Sequence, residues 1–541
     1  MATVRLPAIR LDSLALFRRG APAYLSVAAL VIIAAVLLPL VYLLLRTIDA
    51  GGSAWDLLSQ ARTLRVLGRS ALLAAAVVGT ATLIAVPIAW LTVRTDLPMR
   101  RLWSVLTALP MVVPSYVGGF AFVSALGPKG LLQQLLERPF GVDRLPEIYG
   151  FLGAWLCLTL FTFPYILLSV RAALWGMDGA QEEASRSLGH GAGRTFLRVT
   201  LPQLRPAIAA GGLLVALYTL SDFGAVTLLQ FNSFTRVIYL QYEASFDRIL
   251  ASVLALLLVA FTVVILLVEQ RARGKAKYHA TGATRRLPVV RLGRWKWPAV
   301  LLLTLVVLAS LGLPASVLLY WLAQGLANNV EVSFLGSAMT NAVYASALAA
   351  LVAVIASIPV TVLAVRHAGR FSRFLETASY AGFAMPGIVV ALSLVFFGAH
   401  YAPLLYQTLA MLVFAYSILY LSMAVGSVRA SLLQVNPAVE EAARSLGRGS
   451  LHVLATITLP LVRPGIVVAF AMVFLTAMKE LPATLLLAPI GFRTLATEMW
   501  SATSSGFYAK AAIPALLLVA VSAIPVAILL RREPRGDMGA R

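Results

Sequence analysis

Of 541 residues, 60% are hydrophobic and only 12% charged, about half the charged share of an ordinary soluble domain, so a water-soluble globular fold is excluded. Lysine and arginine outnumber the acids 44 to 22 for a net charge of +22, a balance that fits either nucleic acid or a membrane surface until the charges are placed. The single cysteine, Cys157, lies in an apolar run, which leaves neither a disulfide framework nor a cysteine metal site.

The apolar runs are long enough to cross a hydrocarbon layer of ~30 Å, which takes about 20 helical residues. The alternating segments of about ten residues that mark a transmembrane barrel are absent. Hydropathy therefore predicts an all-α polytopic membrane protein with about twelve spans. In the first half they lie near 24–45, 70–93, 102–126, 150–174, 207–229 and 249–268, and in the second near 299–322, 341–365, 375–398, 404–428, 466–488 and 512–530. The first run follows Arg5, Arg10, Arg18 and Arg19 and exceeds the apolar core of a cleaved leader, about 7–15 residues, so it reads as a retained span.

The expected organisation is a basic N-terminus (1–23), a first span with an external loop (24–65), a first module (66–268), a basic linker (269–298), a seventh span with its loop (299–336), a second module (337–530) and a tail (531–541). With both termini in the cytosol, the basic residues gather in the cytosolic loops, as the positive-inside rule requires. The charge then serves topology and contact with anionic lipid, not nucleic acid. The linker, with nine Lys and Arg against Glu269 alone, suits a segment lying along the inner leaflet.

The halves repeat. Pro87, Arg94 and Pro114 align with Pro359, Arg366 and Pro386 at an offset of 272, and later motifs align at 258. The difference falls in the external loop Gly127–Tyr149, which shrinks to a few residues near His400–Pro403 in the second half. Six spans in each half, starting on the same side, make the repeat a parallel one.

The longest repeated stretch is polar: Glu182-Glu183-Ala184-Ser185-Arg186-Ser187-Leu188-Gly189 and Glu440-Glu441-Ala442-Ala443-Arg444-Ser445-Leu446-Gly447. Each is followed at the same distance by Val199-Thr200-Leu201-Pro202 or Ile457-Thr458-Leu459-Pro460. Local signals predict a short helix over Ala180–Leu188, capped by Asp178 with Gln181 in a capping box, carrying Glu182 and Glu183 where the helix dipole favours them, and stopped by Gly189. In the second copy Asn436 is the expected cap, Pro437 the first helical residue and Gly447 the stop. Leu201-Pro202 and Leu459-Pro460 are expected to open the next span. Small residues at Ala184, Ser185, Ala442 and Ala443 allow close approach of another surface. A self-contained hairpin with capping glutamates is the plainer alternative, and two copies at fixed spacing weigh against it.

Two acids fall inside expected spans, in Ser221-Asp222-Phe223-Gly224 and Lys479-Glu480-Leu481-Pro482, again 258 apart. A charge there costs ~2.5–3.5 kcal/mol on insertion scales, so such residues usually face a bundle interior or a watery path. Asp222, Gly224, Glu480 and Pro482 are accordingly candidates for a gate or its hinge. The alternative is that each carboxylate satisfies freed backbone groups, with Lys479 neutralising Glu480. Tyr239 and Tyr242 add oxygens nearby, but no metal site is assigned, because tyrosine near an interface is more often an anchor. No G-x-x-x-x-G-K-[ST] loop occurs, and Gly189-His190-Gly191-Ala192-Gly193 is not preceded by a strand, so no nucleotide or other cofactor is expected on this chain. The five histidines form no metal pair at helical spacing, and no enzyme site is read.

The spacing of Glu441, Ala442, Ala443, Gly447, Ile457, Leu459 and Pro460 resembles the cytosolic loop of the membrane subunits of binding-protein-dependent ABC importers; the first copy departs mildly, at Ser185 and Val199. The resemblance implies a type I ABC importer permease core in each half and a bacterial inner membrane location. It further implies coupling to a separate ATPase, which would use the ATP, through Glu182, Glu183, Ala184, Gly189, Leu201 and Pro202, and through Glu440, Glu441, Ala442, Gly447, Leu459 and Pro460. Two ATPase copies and an external substrate-binding protein are the implied partners. The stretches after Asp222 and Glu480, with Thr235-Arg236-Val237-Ile238-Tyr239 and Gly491-Phe492-Arg493-Thr494, resemble fused permeases for ferric iron. Thiamine, polyamine and oxyanion permeases share the layout and stay open as alternatives. A 6+6-span secondary transporter is the competing class, and it leaves the matched polar islands unexplained.

Overall fold

The computed structural model describes residues 22–49, 51–141, 143–177, 179–244, 248–273, 289–331, 333–367 and 369–531. The expected N-terminal basic segment up to 21, the cap Asp178, the middle of the linker and the tail beyond 531 lie outside the described residues. The fold is all-α: among the described residues the only β-type pairing is an isolated parallel bridge between Thr95 and Val290.

Nine described helices are long and apolar enough to cross a membrane, from Ala23–Asp49 to Ser450–Met478. At the places expected for the spans 102–126 and 375–398 stand two helix pairs that are long and apolar enough only when taken together, bent by 94° and 98° at their breaks. Proline explains both bends. Pro114 and Pro386 lack an amide proton and sit in extended conformation at the N-caps of Ser115–Leu126 and Gly387–Tyr401, and Val113 before Pro114 is extended as well. The last expected span coincides with the helix Tyr508–Arg531. Large apolar side chains such as Leu83 (75% exposed) and Ile48 (72% exposed) face outward, as a surface solvated by acyl chains permits and one solvated by water disfavours.

The expected spans over 207–229 and 466–488 do not run through. The first helix stops at Ser221 and a short one follows over Gly224–Leu228; the second stops at Met478, followed by Pro482–Leu487. Both breaks fall at the intramembrane acid.

Chain packing defines two compact units, and they do not follow the sequence repeat. One comprises the described residues up to Leu38 with Ala347–Phe383 and Tyr416–Phe474. The other comprises Pro39–Ser346, Ala384–Ala415 and Leu475–Arg541, and so holds both intramembrane acids. Each unit holds one polar island.

Candidate functional site

The islands form the helices Ala180–Ser187 and Pro437–Ser445. The second begins as its sequence dictates: the Asn436 side chain accepts from the Ala438 amide at 3.0 Å, and Pro437 is the first helical residue. The first begins after Gly179, which has no side chain to cap with; the expected cap, Asp178, lies outside the described residues. Both end alike. Gly189 and Gly447 have φ of +82°, and the following amides reach back five residues, His190 to the Ser185 carbonyl and Arg448 to the Ala443 carbonyl, each at 3.2 Å. This paired closure needs a left-handed residue, which glycine adopts at least cost.

Spacing of three divides each helix into two faces. Glu182 and Ser185 are buried on the first, and Glu440 and Ala443 on the second. Ala184, Ala442 and Glu441 are exposed, Glu183 is half-buried, and Leu188 and Leu446 stand out at 78% and 83% exposure. The two adjacent glutamates thus have different surroundings: the first is buried against the rest of the chain, and the second is half-buried in the first island and exposed in the second.

Each inward glutamate is held from two sides. Glu182 pairs with Arg94, the last residue of the helix Ala61–Arg94, and accepts the Thr200 hydroxyl at 2.7 Å. Glu440 takes the Arg366 Nε at 3.1 Å and accepts the Thr458 hydroxyl at 3.0 Å. Arg366, the last residue of Leu335–Arg366, also donates to the Val435 carbonyl at 3.0 Å. All four charged groups are nearly inaccessible. Beside the second pair, burial first and then the Arg444 charge hold His367 below its ordinary pKa, against the pull of Glu440.

The threonines are delivered by a local irregularity. Phe196–Thr200 and Leu454–Thr458 are π-helical turns, in which the Leu201 amide donates to the Phe196 carbonyl and the Leu459 amide to the Leu454 carbonyl. Pro202 and Pro460 follow directly. Each lacks an amide proton, and its ring would crowd the carbonyl four residues back, so the preceding turn widens to i+5. Leu201-Pro202 and Leu459-Pro460 therefore continue a helix that has already begun, and the widened turn brings the hydroxyl to the glutamate. Arg94, Arg366, Thr200 and Thr458 were visible in the repeat, but only folding gives them this task. The available signal was a charge repeated at the very end of a span.

The intramembrane acids serve as caps. Asp222 Oδ1 accepts the Ala225 and Val226 amides at 3.1 and 3.2 Å, and the Ser115 hydroxyl reaches it too. Glu480 Oε1 accepts the Ala483 amide at 3.3 Å. Thr235 and Thr484 bond the backbone carbonyls of Asp222 and Glu480 at 2.5 Å each. At the equivalent of Ser115 stands Gly387, where an added Cβ would overlap the Glu480 carboxylate. The longer acid faces the missing side chain, and the shorter acid faces the serine. Gly224 is packed against Tyr116, leaving no room for a Cβ. Pro482 is the first residue of its short helix. Phe223 stacks between Tyr239 and Trp500 at centroid distances of 4.8 and 5.2 Å. Among the described residues no three His, Cys, Asp or Glu side chains gather as a metal site would require.

A cavity of about 400 Å³ is lined by Arg62, Arg65 and Arg69, which follow one face of their helix, together with Asn232 and Gln241. Asn232 accepts from the Arg236 guanidinium at 2.9 Å.

A duplicated all-α chain of long apolar helices with a matched pair of anchored polar helices has the make-up of the membrane component of a transport system. The sequence belongs to the family of binding-protein-dependent transport system inner membrane components, whose profile matches residues 81–273 and 353–535. It is 36% identical to the Fe(3+)-transport system permease protein FbpB 2 of Haemophilus influenzae, over 94% of this chain and 98% of that one. It is 26% identical to the ferric transport system permease protein FbpB of Actinobacillus pleuropneumoniae over 86% of this chain and 71% of that one. A shorter match, 34% over 25% of this chain and 58% of the other, joins it to the molybdenum transport system permease protein ModB of Escherichia coli.

Proposed function

We propose that this chain is the membrane-spanning permease of an ATP-driven importer for ferric iron, with both termini in the cytosol, two copies of an ATPase beneath it and a binding protein delivering iron from outside. The observation that carries the substrate is the similarity to a ferric transport permease along nearly the full length of both chains; the shorter molybdenum permease match covers only a quarter of this one.

The islands supply the coupling. Ala184 with Leu188, and Ala442 with Leu446, are exposed small and apolar residues suited to seating in a groove of the ATPase. Glu183 and Glu441 give that contact its orientation, while Glu182 and Glu440 tie the helix to the membrane part. Through Arg94 or Arg366 the inward glutamate holds the end of one long helix, and through Thr200 or Thr458 the start of another. A displacement imposed on the island is thereby passed to two spans at once, because a buried, hydrogen-bonded ion pair resists parting more strongly than an exposed one. Asp222 and Glu480, each capping the short helix after a broken span, stabilise those breaks and leave a jointed segment where a gate is wanted.

The test is transport in proteoliposomes holding the permease, its ATPase and an iron-loaded binding protein. Uptake should require ATP and fall at least tenfold when Leu188→Asp and Leu446→Asp are combined, with ATPase copurification lost. Uptake that persists without ATP and collapses with an uncoupler would replace this reading with a secondary transporter. Uptake of molybdate or thiamine in place of iron would retain the machinery and change the substrate.

A further inference from the structure

We propose that the hollow between Asp96–Arg101 and the end of the linker binds the phosphate group of an anionic phospholipid of the inner leaflet. The inference rests on the membrane orientation given above and concerns a part of the molecule that the coupling mechanism does not use.

The hollow has a volume of about 420 Å³ and is lined by Arg100, Arg101, Asp96, Met99 and Val289, among others. Its wall is held in place by the one β-type bridge in the described chain. The Val290 amide donates to the Arg94 carbonyl at 2.8 Å, the Asp96 amide donates to the Val290 carbonyl at 3.2 Å, and the Leu292 amide donates to Asp96 Oδ1 at 2.8 Å. The only acid on the lining is thus already bonded to the linker backbone, while Arg100 and Arg101 lie on the same lining with no ion pair among the described residues. Arg291, Arg294 and Lys296 follow within six residues of Val290. Arginine forks match phosphate oxygens in geometry as well as charge.

The surroundings supply the second half of a lipid. Met99, Leu102 and Val289 are exposed beside the arginines, and Trp295 and Trp297 stand 63% and 75% exposed on either side of Lys296. Tryptophan with Lys or Arg at the end of an apolar helix marks headgroup depth, and here the helix Lys296–Val307 starts at that point. Apolar, aromatic and cationic groups in one place suit a molecule with an acyl chain and an anionic head better than free phosphate, for which the apolar rim has no use. The bridge also ties this hollow to Arg94, whose side chain anchors the first island, so an occupied site would steady that anchor.

The experiment uses the purified full-length permease in a neutral detergent, titrated with phosphatidylglycerol, phosphatidylcholine or inorganic phosphate and read by native mass spectrometry and thermal shift. Phosphatidylglycerol should be retained and raise the melting temperature, while phosphatidylcholine and phosphate at equal concentration should not. Arg100→Gln with Arg101→Gln should weaken phosphatidylglycerol binding about 25-fold, from a factor of about five for each charge near an anionic surface. Arg100→Lys with Arg101→Lys should keep most of it, and Lys129→Gln with Arg144→Gln should leave it unchanged. Equal affinity in the double Gln variant that melts like the parent, or displacement of the lipid by phosphate at equal concentration, would overturn the site. The orientation is read separately by labelling Val289→Cys in whole cells with an impermeant thiol reagent. Labelling without membrane disruption would overturn the inner-leaflet assignment, whatever the lipid titration gives.

Discussion

Removing Arg366 from the second anchor gives a result whose size follows from the structure. Arg366→Met leaves Glu440 buried with the Thr458 hydroxyl at 3.0 Å and Arg444 at 3.9 Å. Breaking a buried pair by deleting one partner costs about 3–5 kcal/mol. Arg444 is partly exposed and already nearby, which favours the lower end, about 3 kcal/mol. Every 1.36 kcal/mol is a factor of ten, so the opening equilibrium of the helix Pro437–Ser445 should rise roughly 150-fold. Hydrogen exchange read by mass spectrometry on peptides covering this helix measures that opening directly. Glu440→Leu should have a smaller effect, because Arg366 keeps the Val435 carbonyl. Combining the two should return exchange to within about fivefold of the parent, since an apolar pair of similar volume replaces a buried ion pair nearly neutrally. Exchange rates within threefold of the parent in both single variants, or a double variant no better than either, would show that the ion pair does not hold the helix.

Gly387→Ala should lower the melting temperature, by overpacking worth about 1–3 kcal/mol, because its Cβ would overlap the Glu480 carboxylate. Glu480→Asp should restore it by reproducing the shorter acid of the first half, and failure of that rescue would refute the complementarity of the two positions. Gly447→Ala should destabilise the second island by about 1–2 kcal/mol, all of it backbone cost, since a Cβ there meets nothing within 4 Å. Gly447→Asn should cost less, and equal exchange rates in both variants would contradict the left-handed stop. His367 is held below its ordinary pKa, so from about pH 6.5 down to its folded value the unfolded chain binds the extra proton and stability falls as pH falls. Thermal melts of His367→Gln should lack that component of the pH dependence, and an unchanged profile would assign it to another group.

Much of the architecture was already legible. Hydropathy located the helices because a span must satisfy its backbone internally and present apolar side chains over a fixed thickness. Asn436, Pro437, Gly189 and Gly447 marked their helix boundaries because capping is a local matter of a few residues. The repeat offsets identified Arg94 with Arg366 and Asp222 with Glu480 without saying what any of them touch. What hydropathy missed are the breaks at Asp222 and Glu480 and the right-angle bends at Pro114 and Pro386, since a window of apolar residues has the same average whether its helix is straight or broken.

The pairing of Arg94 with Glu182 spans 88 residues and that of Arg366 with Glu440 spans 74, and no local pattern encodes a meeting at such distance. Two adjacent glutamates of identical chemistry also give no hint that one is turned inward, because helix phase matters only once there is a neighbour to be buried against. Composition and periodicity thus determined that the chain is a duplicated membrane helix protein with two polar islands. The assignment of Glu182 and Glu440 to the interior, and the division into units that cut across the repeat, belong to tertiary packing alone, where contacts between distant segments are chosen by shape and by the cost of leaving a charge unpaired.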